Sequence, residues 1–137
     1  FFINIMTRQV MKEEKTLMDS LSATGIGTSI SVEEFRHIVL LFSTDTSANL
    51  TIKFQGSAAE TEPTFSSARS TANHWDYVAV NDYQDGGLIA GDTGIAPAGT
   101  DDFRTLLVNT DGINWVNAEI TAYTTGGATV KVRGYSD

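Results

Sequence analysis

The chain has 137 residues and no cysteine, and its 17 Asp and Glu outnumber 9 Lys and Arg for a formal net charge of −8. That length bounds it to one domain of ordinary size, able to bury roughly two-thirds of its unfolded surface and so to fold without staples. The missing cysteine excludes disulfide and thiolate chemistry, and the acid excess argues against a phosphate-backbone partner, which calls for clustered Lys and Arg.

Residues 1–15 differ from the rest. The stretch TRQVMKEEK is charged and holds no turn residues, and the FFINIM before it is too short for a secretory core of roughly 7–15 residues. Alone, such a segment has too little apolar surface to stay ordered. It is expected to be either a frayed terminus or an arm that docks on a neighbouring subunit, with Phe1, Phe2 and Ile3 as its contact residues.

From Thr16 onward the pattern is β. After a weak segment near 16–22, Ile38, Leu40 and Phe42 alternate with Val39 and Leu41, which predicts a central strand apolar on both faces. That run is also the longest strongly apolar one, far short of the ~20 residues of a membrane-crossing helix, so no membrane partner is expected. Leu50, Ile52 and Phe54 alternate with Thr51, Lys53 and Gln55 as a half-buried strand. Val78 and Val80, a weak segment near 87–97, and Leu106 to Val108 follow. Val116, Ala118, Ile120 and Ala122 alternate with Asn117, Glu119, Thr121 and Tyr123, and Val130 and Val132 close the series.

Turn signals separate these runs at Asp45–Asn49, 56–67, Asp85-Gly86-Gly87, Asp111-Gly112 and Gly126-Gly127. Strands 115–124 and 128–135 are expected to form a hairpin closed through Thr125-Gly126-Gly127. No window carries the stripe of a long helix. The prediction is all-β: an antiparallel, jelly-roll-like β-sandwich of seven to nine strands over 16–137, with 1–15 as an N-terminal arm.

Seven Asp lie between Asp76 and Asp111, with Arg104 as the one base among them. Asp82, Asp85, Asp92, Asp101 and Asp102 are the candidates if a cation such as calcium is bound, since calcium takes six to eight oxygen ligands. Their spacing does not match the EF-hand loop, and Asp also favours turns because its side chain caps backbone N–H groups. Asp101 and Asp102 can instead pair locally with Arg104. Nothing supports catalysis or calls for a cofactor. No G-x-S-x-G elbow or P-loop is present, and paired carboxylates for glycoside hydrolysis have no accompanying signature. His37, in the densest apolar strand, reads as a hydrogen-bonded core or interface residue, and His74 cannot build a zinc site of three or four ligands. Trp75, Tyr77, Tyr83, Trp115 and Tyr123 could stack on sugar rings. Trp115 and Tyr123, expected on the face opposite Val116 and Ile120, are read first as subunit contacts.

Four segments together carry a family signal: FRHIVLLFST, NLTIKFQGS, WDYVAVNDYQDGGLIAGDTGIAPAGTDDFRTLLVNTDGINWVNAEITAYTTGG and the terminal TVKVRGYSD. Over residues 16–137 the chain resembles small structural proteins encoded in the virion gene clusters of tailed phages and prophages. The low charge content, 19%, with Thr, Ser, Gly and Ala in its place, fits that texture. The resemblance implies a non-enzymatic virion component, a capsid decoration or cement protein or another head or tail accessory, assembled in the host cytoplasm. It implies homo-oligomers, trimers among them, and contact with a major capsid or other virion protein. It brings no active-site residue. Two other readings stay open: a carbohydrate-binding or host-attachment module using the Asp-rich loops and aromatics, and a self-polymerising extracellular filament subunit whose arm adds a strand to its neighbour.

Overall fold

A computed structural model of the chain describes residues 10–11 and 13–136. Among these residues nine strands make one antiparallel sheet: β1 Lys15–Leu21, β2 Gly25–Ile26, β3 Ile30–Ser31, β4 His37–Ser57, β5 Asp76–Tyr77, β6 Val80–Asp82, β7 Leu88–Ile89, β8 Phe103–Asn109 and β9 Trp115–Tyr135. The main order is β1-β9-β4-β8-β6-β7, with β2 and β3 added to β9 and β5 added to β4. No helix occurs among the described residues. The all-β, antiparallel expectation therefore holds.

The sheet is dominated by two 21-residue strands, β4 and β9, which pair along their whole length. They cannot be straight. Asn109 pairs with His37 at one end of β4, and Trp115 pairs with Ser57 at the other. The segment from Asn109 to Trp115 reaches at most ~22 Å, whereas a straight strand of that length spans ~66 Å. Both long strands double back, and the Phe42 and Phe54 rings, on one strand, meet edge to face at 6.5 Å.

The bend lies where β4 contributes Thr46, Ser47 and Ala48 against Gly126 alone. Thr46 (φ 56°), Ser47 (φ 50°) and Gly126 (φ 89°) all hold left-handed backbone there. This corrects two sequence expectations. Asp45–Asn49 is not a turn between strands but a bulge inside β4, and Gly126-Gly127 does not close a hairpin but lets β9 bend with its partner. The residues are those of a turn because positive φ is needed either way.

Doubling back divides the sheet into a wide half (β1, the end of β9, the start of β4, β8, β6, β7) and a narrow half (β2, β3, the start of β9, the end of β4, β5). One face of each half looks inward. Ile38, Leu40, Phe42, Leu50, Ile52 and Phe54 alternate along β4 into a common core with Val116, Ala118, Ile120, Val130 and Val132 of β9 and Leu106 and Val108 of β8. Each such side chain contributes ~1.5–3 kcal/mol on full burial. The alternation of β9 breaks at Thr121, the unpaired residue between Ala122↔Thr51 and Ile120↔Ile52. Beyond it the faces swap, so Ala122 is exposed and Tyr123 packs on the core. The expected common face for Trp115 and Tyr123 is therefore not formed.

The short strands β2 and β3 carry no periodic signal and were not expected. Of the expected arm, residues 1–9 (with Phe1, Phe2 and Ile3) and 12 lie outside the described residues. Val10 bridges to Tyr135, the Met11 N–H donates to the Gly134 carbonyl at 3.0 Å, and Lys15 opens β1.

The two outer faces differ. The loop of residues 58–75 folds over the narrow half, where Phe65 and Trp75 are buried and the Gln55 amide donates to the Phe65 carbonyl at 3.1 Å. No described segment covers the outer face of the wide half.

Candidate functional site

The uncovered outer face of the wide half collects the exposed apolar side chains. Five large ones are exposed among the described residues: Phe103 (76%), Leu88 (74%), Tyr83 (56%), Val10 and Leu41. Sheet register places them together. Directly paired residues point to one side, so Lys131–Leu41–Thr105 form one row and Arg133–Val39–Leu107–Asn81–Leu88 the next. Phe103 pairs with Ser43 in the row before. Tyr83 follows the inward-pointing Asp82, and its N–H donates to the Thr105 carbonyl at 3.0 Å, which sets it at the end of the Lys131 row. Val10 pairs with Tyr135 at the margin. Two shallow grooves cross the face. One of about 470 Å³ runs between Leu41, Phe103, Thr105 and Lys131, and one of about 370 Å³ between His37, Asn81, Leu88 and Leu107.

The Asp residues are distributed, not convergent. Asp82 is buried and accepts from Arg104 at 2.8 Å, and Asp102 accepts from the same guanidinium at 2.9 Å. Burial pushes the Arg104 pKa down, but the hydrogen bonds and charges of Asp102 and Asp82 outweigh it and hold it above its ordinary value. The expected Asp102–Arg104 pairing is thus present, extended to Asp82, and it ties β6 to β8. Asp85 accepts the Gly87 N–H at 2.7 Å, and Asp101 accepts the Ser47 N–H at 2.6 Å inside the β4 bend. Asp92 is exposed and acts on Tyr77 only through its charge. Among the described residues no group of three or more His, Cys, Asp or Glu could hold a metal ion. Turn and bulge chemistry accounts for Asp85 and Asp101.

Most of the candidate aromatics are engaged internally. Trp75 lies 6.1 Å from the Phe65 ring and 5.2 Å from the Tyr77 ring, and its indole N–H donates to the Ser67 carbonyl at 3.1 Å. The Arg69 guanidinium sits 5.2 Å from both the Trp75 and Tyr77 rings and pairs with Asp76 at 2.5 Å. Ring, cation and loop thus occupy the surfaces on which a sugar would stack. The Trp115 indole N–H donates to the Ala59 carbonyl at 3.1 Å, and the Tyr123 hydroxyl donates to the Gly126 carbonyl at 2.7 Å, bracing the bend. His37 is half-buried on the uncovered face, and the exposed His74 uses its backbone carbonyl to accept from the Ser57 hydroxyl at 2.6 Å.

Tyr77 has one measurable consequence. Burial, then its 2.5 Å hydrogen bond to Glu119 and that residue's charge, push its phenol up to about 12. The folded state therefore holds this proton more tightly than the unfolded chain, whose tyrosines ionise near ~10. The resulting stability is present below pH ~10 and is lost as pH rises toward 12. Ultraviolet titration should show one of the four tyrosines ionising late. Tyr77→Phe should remove that late step and flatten stability between pH 10 and 12, and an unchanged titration would contradict the assignment.

No protein-family model matches the chain, and no curated protein matches it. Among solved structures it is similar to the crystal structure of SPBc2 prophage-derived protein YomS, at 16% identity and a TM-score of 0.71, across 98% of this chain and 100% of that one. That structural likeness shows a shared fold, and at this identity the fold alone. A prophage-derived protein therefore carries the same doubled-over sheet.

Proposed function

We propose that this chain is a non-enzymatic structural protein of a phage particle, a decoration, cement or head–tail accessory subunit located in the virion and working through subunit contacts. We read the doubled-over sheet as sandwich-like, a rigid slab suited to occupying area on an assembly. One observation carries the reading: the exposed large apolar side chains lie together on the outer sheet face that no described segment covers. Scattered single apolar residues need no explanation, but a contiguous exposed patch marks an interaction surface. The prophage origin of the similar fold supports the particle context. The partners are further copies of the chain and another virion protein. No catalytic group and no cofactor, calcium included, enters the reading.

Particles purified from cells that express the chain with the rest of its phage element should contain it in stoichiometric amounts by quantitative mass spectrometry. Its absence from intact, washed particles would end the virion reading.

A further inference from the structure

We propose that the uncovered face of the wide half is occupied by a second copy of the same chain, related by a two-fold axis in the contact plane and parallel to β4 and β8. This rests on the assembly reading above and names the occupant of its surface.

The argument is one of charge and row order. In a chain of net charge −8, this face carries Lys131 and Arg133 together on β9 at one side, where Glu14 is the one acid lining the Lys131 groove. At the opposite side, beyond β8, stands the Tyr83 ring, and the turn after β6 holds the exposed Asp85, one of whose oxygens accepts the Gly87 N–H. Between the two sides Val39 and Leu41 on β4 and Phe103 and Leu107 on β8 stand with Ser43 and Thr105 among them. Such a face is complementary to itself under one operation. A two-fold axis along the strands reverses the strand order, so β9 of one copy lies over β6 and its turn in the other. Lys131 then meets the Tyr83 ring and the Asp85 carboxylate of the second copy, a cation against an aromatic face and an anion. Val39 meets Leu107, Leu41 meets Thr105, and the Phe103 ring lies over Ser43. An axis across the strands would instead stack β9 on β9 and set Lys131 and Arg133 against their own copies, a like-charge contact that disfavours it. Isologous two-fold contacts are the commonest solution for soluble homo-oligomers.

The test uses the full chain in solution. Sedimentation velocity across a concentration series should give a dimer. Phe103→Glu, at a highly exposed position, should raise the dimer dissociation constant about tenfold or more while leaving the far-ultraviolet circular dichroism of the folded chain unchanged. Lys131→Glu and Asp85→Lys should each weaken the dimer, and both in one chain should restore it, because the two-fold sets these sites against each other. A monomer at every concentration, or a dimer indifferent to Phe103→Glu and not rescued by the exchanged charges, overturns the proposal. Its failure is distinct from failure of the virion reading. A monomer that is stoichiometric in particles sinks the second copy alone, and a dimer missing from particles sinks the virion role alone.

Discussion

Phe42→Ala is expected to lower the unfolding free energy by about 4 kcal/mol, within the ~3–5 kcal/mol range for emptying a buried phenylalanine site. Phe42 is 1% exposed, and its ring meets Phe54 edge to face across the doubled sheet. The effect is read as a shift in the urea midpoint at unchanged slope. The informative measurement is the double-mutant cycle with Phe54→Ala. Two positions this far apart along a straight strand would be independent, whereas rings in contact should couple by about 1 kcal/mol. Additive effects would contradict the bend itself.

Gly126→Ala should be comparably damaging, at least about 3 kcal/mol. Two causes combine. The φ of 89° is one that alanine adopts only with strain of ~1–3 kcal/mol. The added Cβ would also stand 2.6 Å from the Ala48 Cα and 2.7 Å from the Asp45 carbonyl oxygen, backbone atoms that cannot swing aside. Gly86→Ala separates the two causes. Its φ is 72°, but a Cβ there meets nothing within 4 Å, so only the backbone strain of about 1 kcal/mol is expected. Equal losses at the two glycines would mean that the bend is not tightly packed.

Much of the strand layout was legible in the sequence, because period-two alternation reports directly on a face that is buried. Ile38, Leu40, Phe42, Leu50, Ile52 and Phe54 all point inward as their spacing predicts. What alternation cannot report is whether two adjoining strands are joined by a turn or are one strand bent at a bulge. Asp45–Asn49 and Gly126-Gly127 supply positive φ and local capping in either case, so they read as turns. The face swap at Thr121 was equally hidden, since one unpaired residue leaves the composition of β9 unchanged while turning Tyr123 inward and Ala122 outward.

The site was partly legible too. Val39 and Leu41 beside Ile38 to Phe42 announce apolar side chains on both faces of a central strand, and β4 is central. That signal measures hydrophobicity and not what covers it, so Leu41 and its neighbour Phe103 were not singled out as contact residues. Trp115 and Tyr123 were, from their size alone, but the carbonyls of Ala59 and Gly126 claim them. The crowd of Asp looked like a possible ligand set because spacing cannot reveal that Arg104 lies between two of them or that Asp85 and Asp101 face backbone N–H groups.

The shared pair of long strands also constrains how the protein is made. β4 pairs with β9 from end to end, and β9 supplies the middle of both halves. On the ribosome, the most apolar strand of the chain therefore emerges long before its partner. At ~5–20 residues per second the wait is several seconds, during which neither half of the sheet can close. A product stopped before Trp115 is thus not a smaller version of this fold. It lacks the second wall of both halves, and its exposed β4 would be left to chaperones and proteases.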